Sequence, residues 1–183
     1  MGDRDFGALL TRLRGLNPDG VFFGGVVTEG ALFKAQMARA RLEAAFFSIS
    51  GIFDDRFIEV ATPQAAEGTL AIKPGVPLER IATGRRFIED YRAAGYREPY
   101  GAYGPYAYDA TNILLEALRQ VGPDRARLVD AIRNIRYRGL LGEVTFDREG
   151  QTRLVAVTRY VVQDGKWTVW EDSEYAKGKR KVR

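Results

Sequence analysis

The first 75 residues alternate short apolar runs with segments of helical periodicity, and this alternation restricts the fold more than any other feature of the chain. The runs Val21 to Gly25 and Ala45 to Ile49 lack polar alternation, which is typical of strands buried on both faces of a parallel sheet. Thr69 to Ile72 is a third run of this kind. Because helical segments separate the runs, we expect βαβ units joined by right-handed crossovers. The predicted fold class is therefore α/β, with a parallel sheet flanked by helices.

The helices themselves can be located from the spacing of their apolar residues. The first covers residues 6–16, and Thr28 is expected to cap a second helix that ends near Leu42. Asp54 or Asp55 is expected to cap a short third helix. Further along the chain the same spacing predicts helices over residues 78–94, 105–121 and 125–135.

The last forty residues have a different character, because β-branched and aromatic residues replace the helical pattern. Strands are predicted over residues 143–146, 154–162 and 166–170, and Asp164-Gly165 is a strong signal for a tight hairpin between the last two. The sequence thus predicts an α/β start, a helical middle and a β-rich C-terminal segment.

Composition excludes several kinds of chemistry. The chain contains no cysteine and no histidine, which removes disulfides, thiol nucleophiles, histidine bases and the usual zinc sites. It has no phosphate-binding glycine motif. The pairs Asp54/Asp55 and Glu89/Asp90 are adjacent in sequence and do not form the spaced pair that acid–base catalysis requires. We therefore expect no enzyme activity, no catalytic residues, no metal site and no cofactor.

The charge of the chain is modest and partly concentrated at its end. The formal net charge is +4, and the segment Lys177 to Arg183 is basic after an acidic patch at Glu171, Asp172 and Glu174. Such a run is usually a solvated tail, so a nucleic-acid partner is not expected. No apolar run is long enough to cross a membrane, and no secretion signal is visible at the start.

A binding site is predicted where the parallel strands end, because ligands of open α/β sheets lie outside the carboxyl ends of the strands. This rule brings together three loops, residues 25–29, 50–55 and 73–77. The helix that follows the first loop offers backbone N–H groups and a partial positive charge to an anion. Structural roles remain open for the same residues, since glycines suit tight turns and Ser50, Asp54 and Asp55 are ordinary capping residues. The six tyrosines between positions 91 and 108 are expected to pack rather than to form a ligand cage.

Several segments, in the right order, resemble the leucine/isoleucine/valine-binding family of type I periplasmic binding proteins. The resemblance extends over nearly the whole chain, although no single segment is diagnostic. It rests on residues 5–13, 17–25, 29–36, 51–54, 57–58, 65–68, 106–110 and 142–147, followed by Gly150.

This resemblance implies two α/β lobes joined by three crossover strands, which trap the ligand by closing on a hinge. Residues 1–73 would belong to lobe two, residues 74–141 to lobe one, and residues 142–183 would return to lobe two and end in the basic tail. The chain would then be the C-terminal portion of an incomplete two-lobe fold, either a fragment or the product of a late start codon. A chain of this kind is expected to be marginally stable, to aggregate or dimerise, and to bind its ligand poorly.

The function implied by the resemblance is that of the solute-binding component of an ABC transporter of the branched-chain-amino-acid type. Such a component captures an amino acid or a related small carboxylate or amide in the periplasm and docks on a membrane permease. The alternative with the same fold is the ligand-sensing domain of a regulator or receptor.

The resemblance also assigns roles to single positions. The family has an aromatic residue just after a Gly-Gly turn, which is Gly24-Gly25 in this chain, and Val26 stands at that position here. The family also has an acidic residue that pairs with the ligand's ammonium, and Ser50 stands at that position here. A carboxylate without an amine, an aromatic acid or an amide is therefore as compatible as leucine. Asp54 or Asp55 could supply the missing charge if the loop bends inward. The candidate ligand-binding residues are Gly25, Val26, Val27, Ser50, Gly51 and Asp54.

Overall fold

A computed structural model describes residues 2–154 and 156–182 of the chain. Within these residues the chain forms two compact units. Unit 1 combines the part up to Pro74 with the part from Val157 onward, and unit 2 is the intervening Gly75–Ala156. Residues 142–156 are part of unit 2, whereas the resemblance places them in the segment that returns to lobe two.

The predicted elements follow one another in the predicted order, and two short elements are additional, the helix Pro63–Ala66 and the strand Tyr137–Arg138. The helices are α1 Gly7–Leu16, α2 Val27–Arg39, α3 Asp55–Ala61, α4 Pro63–Ala66, α5 Ala82–Ala93, α6 Gly104–Val121 and α7 Arg125–Arg133. The strands are β1 Gly20–Phe23, β2 Ala45–Ile49, β3 Leu70–Pro74, β4 Tyr137–Arg138, β5 Glu143–Val144, β6 Val157–Gln163 and β7 Lys166–Val169. Short 3-10 turns cover Ser50–Ile52, Leu78–Arg80 and Trp170–Asp172.

Unit 1 is built on a five-stranded sheet with the order β1-β2-β3-β6-β7. The first three strands are parallel, with Phe22 opposite Phe47 and Phe47 opposite Leu70. Strand β6 runs antiparallel to β3, and β7 returns antiparallel to β6. Asp164 and Gly165 join these two strands with φ values of 52° and 72°, which is the left-handed geometry of a tight hairpin turn. The α/β fold class, with a mostly parallel sheet and a β-rich end, is confirmed.

The core of unit 1 lies on one face of this sheet. Phe46 of β2 is fully buried and packs between Phe33 of α2 and Phe57 of α3, at ring-centroid distances of 5.9 and 6.4 Å. Ala71 of β3 and Val162 of β6 join the same cluster, together with residues of α1 and α4. Since Phe46, Ala71 and Val162 point to the same side of the sheet, all four helices cover that side.

The opposite face of the parallel strands is open. Phe22 is 57% exposed, Phe47 39%, Ile49 43% and Ile72 45%. We refer to these four side chains as the open face. The expectation that β1 and β2 are buried on both faces was wrong for the described residues, because successive side chains of a strand alternate between faces and α1–α4 cover only one of them.

The described residues of unit 2 form three α-helices and a two-stranded ribbon of β4 and β5. Its small core contains Ile113 of α6, Ile135 and Val144. The carboxylate of Asp109, on α6, is buried and accepts hydrogen bonds from the backbone N–H groups of Leu140 (2.7 Å) and Leu141 (3.0 Å). This side chain therefore fixes the turn between β4 and β5 on α6.

Several element boundaries differ from the sequence-based expectations. Helix α2 begins at Val27 rather than after a capping Thr28, because the N–H of Gly30 already bonds to the carbonyl of Val26. Val26 is the N-cap residue and contributes no side-chain hydrogen bond. Helix α5 begins at Ala82, since a separate 3-10 turn covers Leu78–Arg80. Strand β6 begins at Val157, whereas residues 154–162 were predicted. Val155, which belongs to the predicted range, lies outside the described residues.

The basic C-terminal segment is not a freely solvated tail. The guanidinium of Arg180 contacts the carboxylates of Glu67 (2.8 Å), Asp164 (2.9 Å) and Glu174 (2.6 Å). Tyr175 is buried and donates a hydrogen bond from its hydroxyl to Glu67, and this burial together with the neighbouring carboxylate raises the Tyr175 pKa. The segment is anchored to unit 1, although Lys177, Lys179 and Lys181 remain exposed and Arg183 lies outside the described residues.

One cation is buried in unit 1 on the sheet-facing side of α2. Lys34 is only 6% exposed, and its ammonium lies 5.5 Å from the centroid of the Phe46 ring. Burial lowers the Lys34 pKa from 10.5 to about 8. Below pH 8 Lys34 is charged in both states, so its burial lowers the free energy of unfolding by the full amount. Between pH 8 and 10.5 Lys34 binds more protons in the unfolded chain than in the folded chain, so the free energy of unfolding rises with pH.

Replacing this lysine with a neutral chain of similar length should stabilise unit 1. We expect Lys34→Met to raise the free energy of unfolding at pH 7 by about 1–3 kcal/mol, because the desolvation cost disappears. The gain should shrink as pH rises from 8 to 10.5. Denaturant unfolding at pH 7, 9 and 10.5 measures both effects, with the exposed Lys166→Met as the control. A gain that is the same at all three pH values would contradict this explanation.

The buried carboxylate of Asp109 should control the stability of unit 2. Asp109→Ala leaves the buried N–H of Leu140 and the part-buried N–H of Leu141 without an acceptor, and we expect a loss of about 2–4 kcal/mol. Thermal unfolding followed by circular dichroism measures the loss. Hydrogen exchange at Leu140 and Leu141 should accelerate in the same variant. The exposed Asp130→Ala on α7 is the control, and equal melting temperatures for the two variants would refute the assignment.

Candidate functional site

The carboxyl ends of β1 and β2 meet at one edge of the sheet of unit 1, because the two strands are parallel. The chain leaves β1 through Gly24 and Gly25, and leaves β2 through the 3-10 turn Ser50–Ile52. The hydroxyl of Ser48 donates a 2.6 Å hydrogen bond to the carbonyl of Phe23. This bond ties the last residues of the two strands together immediately below the loops.

The two loops approach each other at their glycines. A Cβ atom on Gly51 would lie 2.3 Å from the carbonyl oxygen of Gly25 and 4.0 Å from the Cα of Val26. No side chain fits at position 51, since real Cβ atoms do not approach a backbone oxygen that closely. The structure therefore brings Gly25, Val26, Ser50 and Gly51 together, and we call these four residues the rim.

Helix α2 begins directly beside the rim. Val26 is 43% exposed, while Val27 is half-buried and packs against the core. The first N–H groups of a helix have no partner within the helix, so they give this end a partial positive charge. Glu29 lies in the same first turn, and its carboxylate accepts a 3.0 Å hydrogen bond from the N–H of Gly2.

Asp54 serves as the N-cap of α3. Its side chain accepts a hydrogen bond from the N–H of Arg56 (2.8 Å), and its carbonyl accepts one from the indole N–H of Trp167 (3.1 Å). Both contacts hold the residue in the α3 turn, which is the structural role that its sequence context also allowed. Asp55 is the exposed first residue of the same helix.

A further cation lies at the end of the third parallel strand. The ammonium of Lys73 is 5.0 Å from the centroid of the Phe53 ring, in the segment that follows Ser50–Ile52. Phe53 in turn contacts Tyr160 of β6 at 4.4 Å between ring centroids. Lys73 is the first residue of the third loop predicted at the strand ends, residues 73–77, but it was not among the candidate ligand-binding residues. Its position immediately after the apolar run of β3 is the signal. The rest of that loop, from Gly75 on, belongs to unit 2.

The polar groups near the rim are the hydroxyl of Ser50, the backbone N–H groups at the start of α2 and the ammonium of Lys73. Within residues 2–154 and 156–182, no group of His, Cys, Asp or Glu side chains is arranged to hold a metal ion. None of the described helices is long and apolar enough to cross a membrane.

The family model for periplasmic binding proteins matches residues 1–166 of this chain. The chain belongs to the periplasmic binding protein family. Because this is a family of binding proteins, its membership also confirms the expectation that the chain is not an enzyme.

Curated relatives of this periplasmic binding protein match most of its length at low identity. An amino acid binding protein of Pseudomonas aeruginosa is 31% identical over 173 residues, covering 93% of this chain and 43% of the relative. A Leu/Ile/Val-binding protein homolog of Brucella suis is 30% identical over 177 residues, covering 96% of this chain and 45% of the relative. The chain thus spans less than half the length of these relatives.

Solved structures of the family show the same fold. A leucine binding protein from Thermotoga maritima superposes with a TM-score of 0.80 at 26% identity, covering 92% of this chain and 48% of its own. A solute binding protein from R. palustris in complex with benzoate gives a TM-score of 0.75 at 21% identity, with coverages of 92% and 47%. The second likeness concerns the fold alone.

The close approach at Gly51 makes a direct prediction for the rim. Gly51→Ala places a methyl group against the carbonyl of Gly25, so the two loops must separate or the variant must lose stability. We expect a loss of about 2–4 kcal/mol in thermal unfolding. Gly15→Ala is the matched control, because a Cβ at this helical position meets nothing within 4 Å and alanine is a better helix former. Equal stability of the two variants would disprove the contact.

Proposed function

We propose that this chain forms part of the solute-binding component of an amino-acid ABC transporter and that the rim is its contribution to the binding site. The observation that carries the proposal is the junction of the two loops at the carboxyl ends of adjacent parallel strands, in a member of a binding-protein family. The names of the relatives, an amino acid binding protein and Leu/Ile/Val-binding protein homologs, support the class of solute.

The proposed site residues are Gly25, Val26, Val27, Ser50 and Gly51, with Asp54 in a supporting position. Gly25 and Gly51 let the two loops approach each other closely, while the exposed Val26 offers an apolar contact and Ser50 a hydroxyl. Asp54 contributes by capping α3, because its carboxylate is engaged with the N–H of Arg56.

The solute that fits these residues is a small carboxylate. The first turn of α2 favours a negative group, and the ammonium of Lys73 lies in the same part of unit 1. The rim offers only a weak side-chain partner for an ammonium group, because Ser50 is uncharged and the carboxylate of Asp54 accepts a hydrogen bond from Arg56 as the N-cap of α3. The rim therefore favours recognition of the carboxylate over recognition of the amine.

The cellular context of the proposal follows from the family. We assign unit 1 to lobe two and unit 2 to lobe one of the two-lobed receptor. Such a receptor binds its solute in the periplasm and delivers it to a permease in the membrane. Branched-chain amino acids and their carboxylate analogues are the solutes to test first, because several curated relatives carry Leu/Ile/Val-binding names.

Three related probes separate the two ends of the solute. They are leucine, 4-methylpentanoate, which lacks the amine, and leucinamide, which lacks the carboxylate. We expect 4-methylpentanoate to bind the purified chain within about threefold of leucine, and leucinamide to bind about tenfold more weakly, since one charge-assisted bond is lost. Saturation-transfer NMR detects binding of all three probes down to the millimolar range.

A charge at the rim should abolish this binding without unfolding the chain. Val26→Asp places a carboxylate at an exposed position beside the start of α2, and Leu16→Asp places one at a 75% exposed position on α1 as the control. Loss of signal in the first variant alone supports the site. Equal loss in both variants, or no signal for any probe with the unmodified chain, would refute the proposal.

A further inference from the structure

We propose that Trp167, on strand β7 of unit 1, is a positioning residue for the rim. Its side chain holds the segment Phe53-Asp54, which directly follows the 3-10 turn that carries Ser50 and Gly51. The inference rests on the proposed function, because it concerns how firmly the proposed site is held in its binding geometry. It adds a residue that the rule for strand ends does not reach, since β7 is the third strand beyond β2 in the sheet.

The indole of Trp167 makes one directional contact with this segment. Its N–H donates a 3.1 Å hydrogen bond to the backbone carbonyl of Asp54, a residue 113 positions away in the sequence. An indole has a single polar group, which only donates, so this bond uses the whole hydrogen-bonding capacity of the side chain. Because the acceptor is a backbone atom, the bond fixes the path of the chain after the turn rather than the rotamer of a side chain.

The ring of Trp167 also packs against two aromatic side chains of the same stretch. Its centroid is 5.0 Å from that of Phe53 and 5.8 Å from that of Phe57 on α3. Phe53 contacts Tyr160 of β6 as well, at 4.4 Å between centroids. Aromatic pairs at such distances add to the stabilisation that burial alone provides. Two strands of the C-terminal hairpin therefore hold the residue that follows the turn.

The turn between these contacts and the rim is short, so a displacement at one end is passed to the other. The N–H of Phe53 donates a 3.1 Å hydrogen bond to the carbonyl of Ser50, which closes the turn. Gly51, inside the turn, lies so close to the carbonyl of Gly25 that no Cβ atom fits. If Phe53 moves, Ser50 and Gly51 must move with it.

The geometry of the rim depends on the backbone more than on flexible side chains. The rim contains two glycines, and the side-chain hydroxyl it offers belongs to the short Ser50. A loop that already has its bound geometry needs less ordering when a solute arrives, and it binds the solute more tightly for that reason. Loosening the turn should therefore weaken solute binding while the core around Phe46 stays intact.

The test compares Trp167→Phe with Trp170→Phe in the full chain. Phenylalanine at position 167 keeps an aromatic ring against Phe53 and removes the N–H that bonds to Asp54. Trp167 is half-buried, so the variant should fold. The chain has two tryptophans, and within the part that the structure describes the ring of Trp170 packs against neither Phe53 nor Phe57. Trp170→Phe is therefore the matched control.

Two readouts separate positioning from a merely structural role. Hydrogen exchange without solute should be about three- to tenfold faster at residues 50–54 in Trp167→Phe, as expected for the loss of one hydrogen bond. Saturation-transfer NMR should show leucine binding weakened by a similar factor, while the melting temperature stays within about 4 °C of the control variant. In Trp170→Phe both exchange at residues 50–54 and leucine affinity should stay within about twofold of the unmodified chain.

Unchanged exchange at residues 50–54 in Trp167→Phe overturns the proposal, because the indole then does not hold the turn. Faster exchange with unchanged leucine affinity also overturns it, since the contact would serve stability alone. Absence of leucine binding by the unmodified chain refutes the proposed function instead. In that case the exchange measurement, which needs no solute, decides by itself whether Trp167 positions the turn.

Discussion

The packing of Phe46 between Phe33 and Phe57 is the contact on which unit 1 depends. The three rings join β2 to α2 and to α3, and the remaining buried residues of the unit gather around them. Because strands β1 and β2 end just beyond this cluster, the same contacts hold the two loops of the rim at a fixed separation. The proposed binding surface, which has few polar groups of its own, is in this way positioned by an apolar core.

The two faces of the sheet illustrate the difference between local and tertiary information. An apolar run such as Ala45 to Ile49 shows that both faces of a strand can be buried, and the structure confirms the strand. The run carries no information on whether an element exists to cover each face. Helices cover Phe46 completely and leave Phe47 39% exposed, although both residues are phenylalanines and adjacent in sequence.

The order of elements and the hairpin at Asp164-Gly165 could be predicted because each has a local signal in periodicity or turn chemistry. The meeting of Gly25 and Gly51 could be predicted only as the proximity of two loops, from the rule for parallel strands. Its atomic detail depends on backbone paths that no periodicity reports. The start of α2 at Val27 was missed because its N-cap uses no side chain. The anchoring of Arg180 was missed because its partner Glu67 is 113 residues away in sequence.

The discontinuity of unit 1 has a consequence for synthesis on the ribosome. Strand β3 pairs with β6, and Arg180 reaches back to Glu67, so the first 74 residues of this sequence find their last partners only when its final residues emerge. Unit 2 is continuous in sequence and can assemble from a single stretch of nascent chain. Unit 2 can therefore complete its internal contacts before unit 1 does, although the first residues of unit 1 are translated earlier.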